Sequence, residues 1–133
     1  MNREALDLWS RAVEALGVAE ETVRLSPDAA ASRAYYAAFY GTSALFAAEG
    51  KTFARHSALE AAVHRDLVRA ARWSPPLGAD YTKLMKLRET GDYGGGRHVT
   101  EAEARDAIAT ARTILETVRK AHPADFVLGK AEP

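Results

Sequence analysis

The sequence contains no cysteine. This excludes a disulfide framework and any thiolate zinc site, and it fits a reducing compartment. Long apolar runs are also missing. The longest uncharged stretch, residues 34–48, falls short of the roughly 20 residues a membrane span needs. The opening segment MNREALDLW carries charge where a secretory leader has its apolar run,. A soluble cytoplasmic protein with no membrane association is therefore expected. There is no net charge, with 18 Lys/Arg against 18 Asp/Glu, so no overall field pulls the chain towards nucleic acid or lipid. No alternating stretch is long enough for a strand. The signatures of phosphate loops, nucleophile elbows and zinc-protease helices are absent. His56 and His64 have no third ligand nearby, so neither a metal nor a cofactor is expected.

What is present is helix-forming. Alanine is abundant and β-branched residues are scattered,. Leu6, Trp9, Val13, Leu16 and Val23 recur at helical spacing and predict a first helix over 3–24. Ser26-Pro27-Asp28 is a strong start signal for a second helix, which stops at Gly50. Ser57 and Glu60 have capping-box spacing and predict a third helix reaching Trp73, ended by Ser74-Pro75-Pro76. A shorter fourth helix is expected over 80–90. A second capping box, Thr100 and Glu103, opens a fifth that runs to Ala121. The fold class is all-α: an up-and-down four-helix bundle with one additional short helix. One domain covers 1–121. A tail over 122–133 is expected to fray, with Phe126 to Leu128 apolar enough to dock.

Charge is uneven along the chain. Residues 1–50 hold 4 Lys/Arg against 7 Asp/Glu, and residues 51–98 hold 9 against 5. The basic middle third faces either solvent or an anion. Arg65, Arg69 and Arg72 form a ridge there. Tyr35, Tyr36, Phe39, Tyr40 and Phe46 crowd helix two and suit a core and a subunit contact more readily than base stacking. The stretch LRETGDYGGGRH (87–98) is the densest in polar chemistry. Its glycines fit a helix stop and a turn, with Arg88 as a C-terminal cation. Arg88, Asp92 and Tyr93 beside a glycine hinge equally suit a phosphate or nucleotide.

Three segments carry a resemblance: SRAYYAAFYGTSALF (32–46), RHSALEAAVHRDLV (55–68) and LRETGDYG (87–94). In order and spacing the chain resembles the HEPN family over about residues 5–120. It is nearest to the small prokaryotic branch with a Ser-Arg-Ala-Tyr-Tyr-Ala helix and an Arg-x-x-x-Asp-Tyr-Gly motif. The resemblance implies a helical bundle that forms a homodimer and binds nucleotide or RNA. It also implies a minimal nucleotidyltransferase as partner, in a toxin–antitoxin-like pair. By that resemblance Arg88, Asp92, Tyr93, Ser32 and Arg33 line the binding site. Several relatives are metal-independent ribonucleases whose arginine is followed, after four to six residues, by a histidine. Arg88 matches the arginine, but Tyr93, Gly94 and Gly95 stand where the histidine belongs. A phenol with an ordinary pKa near ~10 is a poor base at neutral pH. His98 is the nearest substitute, so the alternative is a ribonuclease using Arg88 and His98 as catalytic residues. A non-catalytic scaffold is the third reading.

Overall fold

The computed structural model describes residues 1–129; the last four residues of the expected tail, 130–133, lie outside the described residues. The elements are α1 (Arg3–Thr22), α2 (Pro27–Ala48), α3 (His56–Ala62), a π-helical segment (Val63–Val68), α4 (Pro75–Tyr93) and α5 (Glu101–Ala121). Among the described residues there is no strand. No helix there is long and apolar enough to cross a membrane.

Helix α2 is the centre of the bundle and packs against α1, α4 and α5. Its buried positions are mostly small: Ala30, Ala31, Ala34, Ala37, Ala38, Gly41, Ala44 and Ala47. Small side chains let neighbouring helix axes approach closely. Ser26 caps α2 by accepting from the Ala29 amide at 3.1 Å, with Pro27 in the first turn. Asn2 caps α1 through the Ala5 amide and donates to the Ala47 carbonyl at 2.9 Å, pinning the start of α1 to the end of α2. The inward face of α1 is Ala5, Trp9, Ala12, Leu16, Ala19 and Val23. Leu6, expected on that face, is 40% exposed because Ala5 holds the inner position.

Three expectations about the middle of the chain are corrected. The capping box of Ser57 and Glu60 does not form. The helix begins at His56, Arg55 caps it without a side-chain hydrogen bond, and Glu60 instead accepts from the Thr82 hydroxyl on α4 at 2.8 Å. After the π-helical segment the chain leaves helical geometry before Trp73, passing through Ala71 at φ +61°. The fourth helix is not short. The preceding helical segment already ends at Val68, and Ser74-Pro75-Pro76 starts α4. The Ser74 hydroxyl accepts from Leu77, and prolines suit a first turn whose amides need no helical partner,. The resulting helix is 19 residues long, and α3, with 7, is the short one. The Thr100–Glu103 capping box on α5 forms as expected.

Beyond α5 the chain folds back on α1. Phe126 is fully buried and stacks on Trp9 with ring centroids 4.7 Å apart. The Trp9 indole donates to the Val127 carbonyl at 2.8 Å. Arg112 donates to the Gly129 carbonyl at 2.8 Å and pairs with Glu20 on α1 at 3.2 Å.

Candidate functional site

The N-terminal half of α2 and the C-terminal half of α4 meet where the sequence is richest in polar groups. Gly91 permits the contact. A Cβ there would stand 2.7 Å from the Asp28 carbonyl oxygen, so only glycine lets α4 come this close to the first turn of α2. The helix runs through Gly91 to Tyr93 instead of being interrupted. The following loop turns at Gly95, φ +61°, and is tied back by Asp28. One Asp28 oxygen accepts from the Val99 amide at 2.7 Å; the other lies 2.6 Å from His98 Nδ1. The His98 hydrogen bond, then that of Val99, holds the Asp28 carboxyl below its ordinary range.

Arg88 sits at the centre. Its side chain is only 13% exposed, and its one ionic partner among the described residues, Asp92 a turn later, is 3.5 Å away. That is too long for a strong charge-assisted hydrogen bond. Its Nε is buried and without a hydrogen-bond partner among the described residues. The guanidinium carbon lies 5.3 Å from the Tyr35 ring, 5.7 Å from Tyr36 and 6.0 Å from Tyr93. Burial works against its charge, but Tyr36, Tyr35, Asp92 and Tyr93 together raise its pKa, so it stays a cation. The Ser32 hydroxyl donates to Asp92 at 3.4 Å. Arg33 lies 4.7 Å from the Tyr36 ring, so Tyr36 carries both arginines. Tyr93 is 77% exposed.

Ser32, Arg88, Asp92 and Tyr93 are thus brought into one cluster, with Arg33 joined to it through Tyr36. His98 is held elsewhere in the network. Its contact is Asp28, one turn of α2 before Ser32, and its side chain is 72% exposed. A groove of about 120 Å³ between α4 and α5, lined by Asp80, Lys83, Glu103, Asp106 and Thr110, contains none of these residues.

Two members of the cluster, Tyr35 and His56, were named from the sequence but not placed in the site. The Tyr35 hydroxyl is 2.6 Å from His56 Nδ1, and the rings stack at 5.6 Å. Burial pushes the Tyr35 phenol up to about 12, so it keeps its proton; with His56 Nδ1 unprotonated, the Tyr35 O–H donates a hydrogen bond to that nitrogen. That leaves the His56 proton on Nε2 in the neutral ring. His56 also stacks on Phe39 at 4.3 Å and meets Tyr36 edge-on. Burial, then the Arg88 charge, lowers its pKa. The neighbouring Tyr81 hydroxyl is sealed without a well-formed hydrogen bond, although it lies close enough to Tyr35 for each to perturb the other. The available signal was the histidine-serine start at 56–57, which entered only as a capping-box position, as a metal ligand without partners and as part of the family resemblance.

The arrangement offers an under-paired cation bordered by aromatic faces, a carboxylate and a hydroxyl. Such a group suits an anion attached to a planar ring. Comparison with known proteins places the chain. The model of the HEPN domain matches residues 5–121. The chain belongs to the HEPN family. A UPF0332 protein from Thermotoga maritima is 37% identical over 91 residues, covering 68% of this chain and 69% of that protein. Within this HEPN domain, Arg88 stands on the last turns of α4, facing the Tyr35-Tyr36 pair of α2.

Proposed function

We propose that this HEPN domain is a nucleotide- or RNA-binding module, acting in the cytoplasm as a homodimer and working with a minimal nucleotidyltransferase in a two-component, toxin–antitoxin-like system. The observation that carries the reading is Arg88: a largely buried cation whose nearest carboxylate is 3.5 Å away and whose Nε has no partner among the described residues. A phosphate oxygen supplies what Asp92 supplies only weakly. In this reading Arg88 neutralises phosphate, Asp92 orients Arg88 or accepts from a ribose hydroxyl, and Tyr93 stacks on a base. Ser32 holds Asp92, and Arg33 adds positive charge beyond Tyr36.

The test is fluorescence anisotropy with a labelled single-stranded RNA, competed by mononucleotides, together with co-purification of a nucleotidyltransferase encoded alongside. Losing one charged hydrogen-bonding group costs about 1.5–3 kcal/mol, so Arg88→Ala should weaken binding by roughly ten- to a hundredfold. Equal affinity of wild type and Arg88→Ala for both RNA and partner sinks the reading.

A second reading, a metal-independent ribonuclease, draws on His98. Asp28 holds one ring nitrogen of His98 at 2.6 Å and leaves the exposed side free to take a proton. It requires RNA ends bearing 2′,3′-cyclic phosphate, lost in Arg88→Ala and in His98→Ala. Intact RNA across substrates and pH values leaves the binding module or a non-catalytic scaffold.

A further inference from the structure

Arg88 and His56 share the same two aromatic rings. The guanidinium carbon is 5.3 Å from Tyr35 and 5.7 Å from Tyr36, and the imidazole is 5.6 Å and 5.7 Å from them. The two legs through Tyr35 bound their separation from above by their sum. The imidazole is fixed in place: Tyr35 occupies Nδ1, and Phe39 stacks at 4.3 Å. In the neutral ring Nε2 already carries the hydrogen, so an added proton goes to Nδ1; Tyr35 then accepts from Nδ1 and turns its own O–H towards the Tyr81 oxygen, which has no other partner among the described residues. The charges facing this histidine are few. From α4 come Arg88 and, paired to it, Asp92; from α2 come Arg33 beyond Tyr36 and the phenols of Tyr35 and Tyr36. From α3 itself comes Glu60, whose carboxylate accepts from Thr82. Arg88 is the cation that acts on His56 directly.

We propose that His56 is the proton-taking member of the Arg88 site: a phosphodiester seated on the guanidinium binds together with one proton on the His56 ring. The inference rests on the reading of Arg88 as an anion site and adds a control to it. With Arg88 bare, a second positive charge beside it is opposed. An anion on Arg88 cancels that opposition, so His56 accepts a proton more readily in the complex. By reciprocity, protonated His56 makes the anion bind more tightly. Two charges ~10 Å apart at an effective dielectric of about 20 change affinity at most about sixteenfold, and salt with a Debye length of about 10 Å reduces this to about threefold to tenfold. Binding should therefore tighten as pH falls through the His56 range, below 6.5.

The probe is the dinucleoside monophosphate UpU, whose phosphodiester and bases hold one charge state between pH 5.5 and 7.5. Calorimetry at both pH values, in buffers of different ionisation enthalpy, counts protons taken up. The expected result is threefold to tenfold tighter binding at pH 5.5, with net proton uptake. In His56→Asn, whose amide oxygen still accepts from Tyr35, both effects should vanish. A ligand-free arm follows the His56 ring by NMR, assigned by its loss in His56→Asn. In Arg88→Met its titration midpoint should rise. If UpU binds through Arg88 but with no pH dependence, the proposal falls and the binding site stands. The same holds if the dependence disappears in His98→Asn and survives in His56→Asn. If UpU binds wild type and Arg88→Ala alike, or neither, the anion site falls and the proposal with it.

Discussion

Tyr35 and His56 lie 21 positions apart in the chain, yet their side chains meet at 2.6 Å inside the protein. Tyr35→Phe keeps the stacked ring and deletes only the donor. The cost expected from a buried hydrogen bond to a group left otherwise unpaired is about 1–2 kcal/mol, readable as a lower urea midpoint at pH 7.5. His56 also gives stability a pH dependence with a definite sign. Its folded pKa lies below 6.5, so between the two values the unfolded chain binds more protons than the folded one,. Stability is complete above 6.5 and falls as pH drops through the folded value. Urea midpoints at pH 7.5 and 5.5 should differ in that direction, and by less in His56→Asn. Asp28 acts in the same direction at lower pH, because its carboxyl is depressed from 3.8 and its contribution disappears once it is protonated. The grouping of Arg88 with Asp92 was legible in the sequence because they stand close together beside a glycine stretch; that one helical turn separates them was not, since the helix was expected to end near residue 90. Ser32 and Arg33 came from the family resemblance. The Tyr35–His56 pair was not legible, since only the packing of α3 onto α2 brings them together.

The helices show how one local signal can be read two ways. Ser74-Pro75-Pro76 reads as a helix stop under one rule and a start under another, and the chain uses the second, because the preceding helical segment already ends at Val68,. The Ser57–Glu60 spacing suggested a cap, but Thr82 on α4 claims the Glu60 carboxylate, a tertiary contact that no local pattern records. The π-helical segment also left no trace in periodicity. Gly91 and Gly17 make a matched test of what a glycine does inside a helix. At Gly17 an added Cβ meets nothing within 4 Å, so Gly17→Ala should stabilise by about 0.5–1 kcal/mol,. At Gly91 the same methyl meets the Asp28 carbonyl at 2.7 Å, so α4 must move away from α2. Gly91→Ala should therefore destabilise by about 1–3 kcal/mol in urea titrations. Two changes of equal sign would refute the close approach of α4 to α2.

Helix content, the bundle and three of its four long members, α1, α2 and α5, were readable from capping residues and apolar spacing; the lengths of α3 and α4 were not. The fate of the chain beyond Ala121 was only hinted at by Phe126 and Leu128. In the structure Phe126 completes the core by stacking on Trp9. Phe126→Ala should cost about 3–5 kcal/mol if the gap stays open, and less if it collapses. It should also shift Trp9 emission to longer wavelength, while a surface change such as Asp125→Ala leaves emission unaltered. Ser32, Arg33 and Tyr35 belong to α2, the helix that every other long helix touches. A ligand held on a hinged lid protects the lid alone. One gripped by this central spine cannot be released by local fraying, so occupancy must delay the melting of the entire bundle. A simple thermal-shift screen of nucleotides, run without any assay of turnover, would then suffice to pick out what the protein carries.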